Sequence, residues 1–379
     1  MKRVLCIMIA GGLGSLLACG DDDDSKVVKP LGVDGGTDAA STDASSDATT
    51  EAGAPKWTPV LQELDGALLS VWGTSEKDVW AVGGPLGNSG FESLVVRFNG
   101  QTWQRAKPGK TDSFWWVHGT SSSDVWLAGE KGRITHWDGS AFTEVTSGTT
   151  ATLFGLYAFG PKDVWAVGGT PDSPSAENAV VLHYDGATWK KEDIGETRKI
   201  AFFKVWGTTA AGGDPGKNDV YVVGEAGAIW HRVQGAWKSE GVGLATGRLT
   251  TVAGCSATEI YAVGGRDVLE SDGTTWKRAD IDPLKLVNDV NGVSCGPNGV
   301  VVVGSGSLKL RLVKDGATKR WETDFGSEPL VDLHGAWADP TGAYWGVGGQ
   351  FAAAARPNAK RQGAVARYAA NAISGVLLP

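Results

Sequence analysis

The sequence predicts an all-β chain folded as a seven-bladed β-propeller. Three observations point there. A passage of the form Val-Trp-Gly-Thr-Ser-x-x-Asp-Val-Trp-Ala-Val-Gly, then an aliphatic strand ending in Asp-Gly-x-x-Trp, recurs seven times. Copies start near Val71, Val117, Leu156, Val205, Val252, Val290 and Leu333. Their spacing of roughly 40–50 residues suits one four-stranded blade per copy. Short apolar runs alternate with Gly, Asn and Asp turn clusters throughout, as in many-stranded antiparallel folds.

Each repeat resolves into four strands. Strand a is the apolar run before the first glycine, as in Leu69-Ser70-Val71-Trp72 and Phe114-Trp115-Trp116-Val117. Strand b is Asp78 to Gly83, Asp124 to Gly129, Asp163 to Gly168 and Asp219 to Gly224. Such continuous apolar runs require a sheet covered on both faces, the situation of a blade between two others. Strand c ends at Phe98, Trp137 and Tyr184, before Asn99-Gly100, Asp138-Gly139 and Asp185-Gly186. These steps predict type I′ hairpins with both central residues at positive φ. Strand d carries Trp103, Phe142, Trp189, Trp237, Trp276 or Trp321.

The seventh unit lacks a strand d: after Val365-Ala366-Arg367-Tyr368 it reads Ala-Ala rather than Asp-Gly. Trp57-Thr58-Pro59-Val60 reads as a strand d with no unit before it. Residues 57–62 are therefore expected to complete the last blade and close the ring. The alternative donor is the segment Ile373 to Leu378.

The pattern Asp-Val-Trp-Ala-Val-Gly-x-x-Gly-x-Ile-x-His-Tyr-Asp-Gly-x-x-Trp resembles repeats of secreted bacterial propeller lipoproteins. These are similar in turn to Asp-box sialidases and photosystem II assembly factors. Ser271-Asp272-Gly273-Thr274-Thr275-Trp276 comes nearest an Asp box but is one residue short of its spacing. The resemblance spans residues 57–368 and implies the fold; this superfold hosts many unrelated activities.

Residues 1–19 read as a lipoprotein signal peptide. Lys2 and Arg3 precede an apolar run from Val4 to Leu17, and Leu16-Leu17-Ala18-Cys19 resembles a bacterial lipobox. Cys19 is the expected lipid attachment site, a palmitate-type acyl anchor, and several acyl chains suffice for stable anchoring. Residues 20–55 form an acidic tether with nine acids against two lysines and no aromatic residue. Such a segment cannot bury enough apolar surface to order itself, and its reach is on the order of 30 Å. The net charge of −8 thus resides in the tether, leaving the propeller, residues 56–379, near neutral. That argues against nucleic acid as a partner. Of four cysteines, Cys6 leaves with the signal peptide. Cys255 and Cys295 are expected to form a disulfide in an oxidising compartment, with two buried free thiols as the alternative.

The histidines occupy repeat-defined slots. His118 and His334 are assigned to the position of Trp72, His136 and His183 to that of Arg97, and His231 within a residue of the latter. No His-x-x-x-His or Glu-x-x-His spacing occurs, so neither a metal nor a cofactor is expected. Seven arginines (Arg97, Arg133, Arg232, Arg248, Arg266, Arg311 and Arg356) match no sialidase motif, and catalytic residues are assigned to none. The insertions are more informative. Blades 1, 3 and 7 insert Pro85 to Phe91, Thr170 to Asn178 and Phe351 to Gln362 between strands b and c, all on one face. Variable loops on a rigid scaffold are where function resides.

The resulting expectation is a monomeric, lipid-anchored, non-catalytic propeller at the outer membrane or cell surface, binding an envelope protein or glycan. Its binding residues would be Phe91, Glu92, Glu177, Asn178, Arg356, Lys360 and Arg361. The alternatives are a glycosidase or sialidase-like enzyme using the same face, and a structural scaffold of an envelope complex.

Overall fold

The computed structural model describes residues 53–84, 93–109, 112–173, 177–316, 318–349 and 363–378. They form seven antiparallel sheets of the propeller class. Blade 1 comprises Ala67–Ser75, Asp78–Gly84, Leu94–Phe98 and Trp103–Arg105 as strands a to d. Blade 2 uses Phe114–Ser121, Asp124–Gly129, Ile134–Trp137 and Phe142–Val145; blade 3 uses Thr152–Gly160, Asp163–Gly169, Val180–Tyr184 and Trp189–Lys191. Blade 4 follows with Phe202–Thr208, Asp219–Gly224, Ile229–Val233 and Ala236–Glu240. Blade 5 has Thr251–Ser256, Glu259–Gly264, Asp267–Ser271 and Trp276–Arg278; blade 6 has Val290–Gly296, Gly299–Gly304, Lys309–Asp315 and Thr318–Asp324.

Blade 7 takes strands a to c from Leu333–Ala338, Tyr344–Gly348 and Gly363–Ala369, and its outer strand is Lys56–Leu64. Trp57 lies opposite Tyr368 in that ladder, as Trp103 lies opposite Phe98 and Trp189 opposite Tyr184. The other candidate donor sits elsewhere: Leu377–Leu378 adds in parallel to the outer strand of blade 1, with Leu377 opposite Trp103. The strand-a segments touch one another in sequence around the circle, blade 7 meeting blade 1.

Inter-blade packing explains the repeat. The strand-b aromatic of one blade meets the strand-c or strand-d aromatic of the next. Trp80 meets Trp137 and Phe142, Trp126 meets Trp189, and Trp165 meets Trp237. Tyr221 meets Trp276, Tyr261 meets Trp321, and Trp345 meets Trp103. The centroids are 5.8–6.2 Å apart, mostly edge-on, the preferred geometry of aromatic pairs. At the blade 6–7 seam strand b offers Val301, which shares one apolar cluster with Trp57. Most of the 17 tryptophans are explained by this wedge.

The Trp-Gly step has its own cause. The ring of Trp72 lies over Gly119 of blade 2, where a Cβ would come within 2.8 Å of it. Trp337 lies in the same way over Gly73. Each glycine makes room for the indole of the preceding blade.

The c–d turns differ from the expected I′ form. Only the glycines, such as Gly100 (φ 91°) and Gly139 (φ 97°), have positive φ. The preceding Asn or Asp instead accepts hydrogen bonds from the next amides: Asn99 Oδ1 from Gln101 and Thr102, Asp185 Oδ1 from Ala187 and Thr188. A side-chain acceptor two residues back stabilises a turn without a second positive φ. Blade 4, with Gln234 at φ 50° and Gly235 at 86°, does show the two-residue form.

Candidate functional site

Strand c places a polar or basic residue opposite each strand-b aromatic, and these residues are engaged in structure. His136 stacks on Trp126 at 4.1 Å, His183 on Trp165 at 4.2 Å and His231 on Tyr221 at 3.8 Å. Arg97 covers Trp80 at 4.7 Å. A carboxylate at the start of strand b bonds the strand-c residue in three of these stacks, Asp78 to Arg97, Asp124 to His136 and Asp163 to His183, while His231 bonds Glu240 of strand d. Asp124 accepts from Trp126 Nε1 at 2.9 Å, lies 2.8 Å from His136 Nε2 and also accepts from Thr120. Burial pushes this carboxyl up, but the bonds from His136, Thr120 and Trp126 outweigh it and hold it below the usual range. Asp163 repeats the arrangement with Trp165 and His183, and adds Asn218 Nδ2 of blade 4 at 2.9 Å. His231 stands opposite Tyr221 as His183 stands opposite Trp165, so its slot is the same one.

His118 does occupy the position of Trp72: each is paired with the strand-b tryptophan of its own blade. Its Nδ1 accepts from Ala158 N at 3.1 Å, and burial lowers its pKa to about 3. His334 does not share that slot, which belongs to Trp337 opposite Trp345. The strand-a register slips by one residue between Leu333 and Gly335, and His334 falls in the slip, as Leu69 does between Leu68 and Ser70. A bulge of this kind is invisible to repeat counting.

This bulge recurs at the start of strand a in every blade whose ladder resolves it, on the face carrying the b–c loops. It presents Leu69, Trp115, Phe154, Phe203, Asn291 and His334. Thr250, just before the first paired residue of blade 5, stands in the equivalent place. On an innermost strand, exposure can only be toward the channel or its mouth. Trp115, Phe203, Thr250, Asn291 and His334 are all half-buried, so they line that mouth.

The mouth is two-sided. Over blades 2 to 4, Trp115 meets Phe154 edge-on at 4.8 Å, and Phe154 meets Phe203 at 5.3 Å. One residue deeper, Lys204 sends Nζ to Phe154 O at 2.7 Å and over the Trp116 ring at 3.8 Å. Gly155 has no side chain to block that reach from blade 2 to blade 4. Burial lowers the Lys204 pKa to about 7. Over blades 5 to 7 the lining is polar: Thr250 and Thr251 donate to Asn291 O, Asn291 Nδ2 donates to Leu333 O, and His334 Nε2 lies 3.3 Å from Gly349 O. Several of these bonds occupy backbone groups on the open edge of an inner strand, where an unpaired edge would otherwise remain.

The sequence-predicted residues are placed as follows. Glu177 accepts from Thr149 and Thr150, and it borders a cleft of about 500 Å³ with Lys131, Glu144 and Thr150. Asn178 bridges its own loop, accepting from Thr170 N and donating to Ser173 O. It borders a cleft of about 420 Å³ with Lys191, Asp193 and Glu196. Both clefts open beside the b–c loop of blade 3. Cys19, Phe91, Glu92, Arg356, Lys360 and Arg361 lie outside the described residues. Cys255 and Cys295 are joined in a disulfide between the strands a of blades 5 and 6, with Cα atoms 5.1 Å apart. Sequence reasoning missed Trp115, Phe154, Phe203 and Lys204; their one signal is that aromatic pairs and a lysine interrupt the aliphatic consensus of strand a.

Among the described residues no group of three or more His, Cys, Asp or Glu side chains could hold a metal ion. No helix there is long and apolar enough to cross a membrane.

No protein-family model and no curated protein matches the chain by sequence. Solved structures do. A streptogramin B lyase superposes with a TM-score of 0.62 at 11% identity, covering 83% of this chain and 98% of that one. YCF48 bound to D1 peptide gives 0.57 at 15%, covering 82% and 96%. The virginiamycin B lyase of Staphylococcus aureus gives 0.60 at 11%, covering 82% and 99%. At such identities the likeness concerns the propeller fold.

Proposed function

We propose that the chain is a lipid-anchored, non-catalytic binding propeller of the bacterial cell envelope, on the outer membrane or cell surface. It would be held through Cys19 and would take a protein partner on the b–c face. The observation that carries the binding reading is the two-sided channel mouth. Trp115, Phe154 and Phe203 form an apolar wall facing the polar arc of Thr250, Asn291 and His334, on the face where the long loops emerge. Rigid aromatic anchors beside adaptable polar groups are what binding surfaces use for affinity and orientation. The strand-c histidines His136 and His183 are stacked on buried strand-b tryptophans and bonded to Asp124 and Asp163, the repeat-wide packing of the blade. A solved propeller of this fold, YCF48, is bound to a peptide, which supports a polypeptide over a glycan as ligand.

The test is capture from solubilised envelope by the tethered propeller, with the bound proteins identified by mass spectrometry. Trp115→Ala with Phe203→Ala should lose the captured partner while melting near the parent temperature, and removal of 351–362 should weaken capture. A partner retained equally by both variants would refute the assignment of this face. Turnover of a glycoside or of a streptogramin B by the parent and not by His334→Ala would replace it with an enzyme.

A further inference from the structure

We infer that the aromatic side of the channel mouth is a receptor for an aromatic carboxylate, anchored by Lys204 and Trp115. The inference rests on the reading of this mouth as the binding face and names the chemistry it would accept.

Lys204 is 8% exposed on the innermost strand of blade 4. As an ammonium it has three donors. Phe154 O takes one at 2.7 Å, and the Trp116 face accepts the charge at 3.8 Å. Among the described residues no carboxylate pairs with it: its pKa is lowered by burial alone, with no charged neighbour contributing. Arg248, over the Phe203 ring, is already paired with Asp172 and Glu225. A buried cation without a counter-ion is costly, and an incoming anion relieves that cost.

Trp115 supplies a second donor. Its Nε1 is buried with no hydrogen-bond partner. Trp57, Trp80, Trp103, Trp189 and Trp237 share that condition, but Trp80 lies on a strand b and the other four on outermost strands. Trp115 is the one on an inner strand at the mouth. Trp115 and Lys204 both abut Phe154, one on its ring and one on its carbonyl. Lys204 keeps donors beyond its bond to Phe154 O, and Trp115 Nε1 beside the same residue has no partner, so the pair would suit an acceptor anion carried on a flat apolar group. Phosphate or sulfate would meet the donors but gain nothing from the Trp115 and Phe203 rings beside them.

The probes are indole-3-acetate against indole-3-acetamide, and a peptide ending in Phe with a free against an amidated C-terminus, titrated calorimetrically into the whole propeller. The acid of at least one pair should bind tenfold or more tightly than its amide. Binding by the free acid alone points to a small-molecule source, and binding by the peptide as well to a chain terminus. Lys204→Met should bring acid and amide to equal affinity, and Trp115→Phe should weaken the acid more than the amide. Equal binding of acid and amide by the unmodified protein, or no binding of either, overturns the inference without any variant having to fold. Capture of an envelope partner could still succeed in that case, so the two readings fail separately.

Discussion

Trp57 and Tyr368 stand opposite each other in the last blade, their rings 5.7 Å apart, although they lie near opposite ends of the propeller. Thr58 Oγ1 donates to Arg367 O one step along the ladder. Non-covalent closure makes this pair the latch of the ring. Removing residues 53–64 should abolish cooperative thermal unfolding and yield aggregated protein by size exclusion. Trp57→Ala, which empties a 4% exposed indole site, should cost about 3–5 kcal/mol in denaturant titrations. A truncated chain that melts like the parent would mean that the latch contributes nothing.

The Cys255–Cys295 bridge spans 40 residues and joins two blades. Closing a loop of that size is worth about 2–4 kcal/mol through the unfolded chain. Cys255→Ser with Cys295→Ser should therefore lower the melting temperature by several degrees, and reductant should lower the parent but leave the double variant unchanged.

Glu240 collects Lys238 Nζ at 2.7 Å, His231 Nδ1 at 3.0 Å and Trp276 Nε1 of the next blade at 3.0 Å. Burial pushes its carboxyl up, but the bonds from His231, Lys238 and Trp276 prevail and hold it at about 2. An acid held below its unfolded value stabilises the fold above that unfolded value, near 4.5, and the contribution is lost as pH falls toward 2. Glu240→Gln should cost roughly 1.5–3 kcal/mol at neutral pH. It should also flatten the stability profile between pH 4.5 and 2, measured as the difference from the parent.

Lys204 shifts the other way. Burial takes its pKa from 10.5 to about 7, so between those values the unfolded chain holds more protons than the fold. Stability contributed at this position rises with pH from 7 to 10.5 and is missing below 7. Lys204→Met should remove that slope and be more stable than the parent at pH 6. An unchanged slope would show the amine to be solvated.

His118 follows the same rule at lower pH. With its pKa brought from 6.5 to about 3 by burial, protonation in acid favours the unfolded chain, so stability falls as pH drops from 6.5 toward 3. His118→Gln should lessen that loss in acid-denaturation profiles while retaining an acceptor for Ala158 N.

The sequence by itself determined the blade count, the strands and the slots. The repeat is local: the Asp of strand b, the Trp two residues on and the turn glycine answer to neighbours within one blade or at a fixed offset in the next. Trp57 was legible as a missing strand d for that reason, and His136, His183 and His231 as structural residues. The tertiary structure decided what the repeat cannot encode. A one-residue slip at the head of strand a moves His334 out of the tryptophan slot and turns Trp115, Phe154 and Phe203 toward the mouth. Only the stacking of blades 2, 3 and 4 brings Trp116 past Gly155 to Lys204. Periodicity records which face of a strand is buried; it does not record which side chain, two blades away, reaches over the strand between.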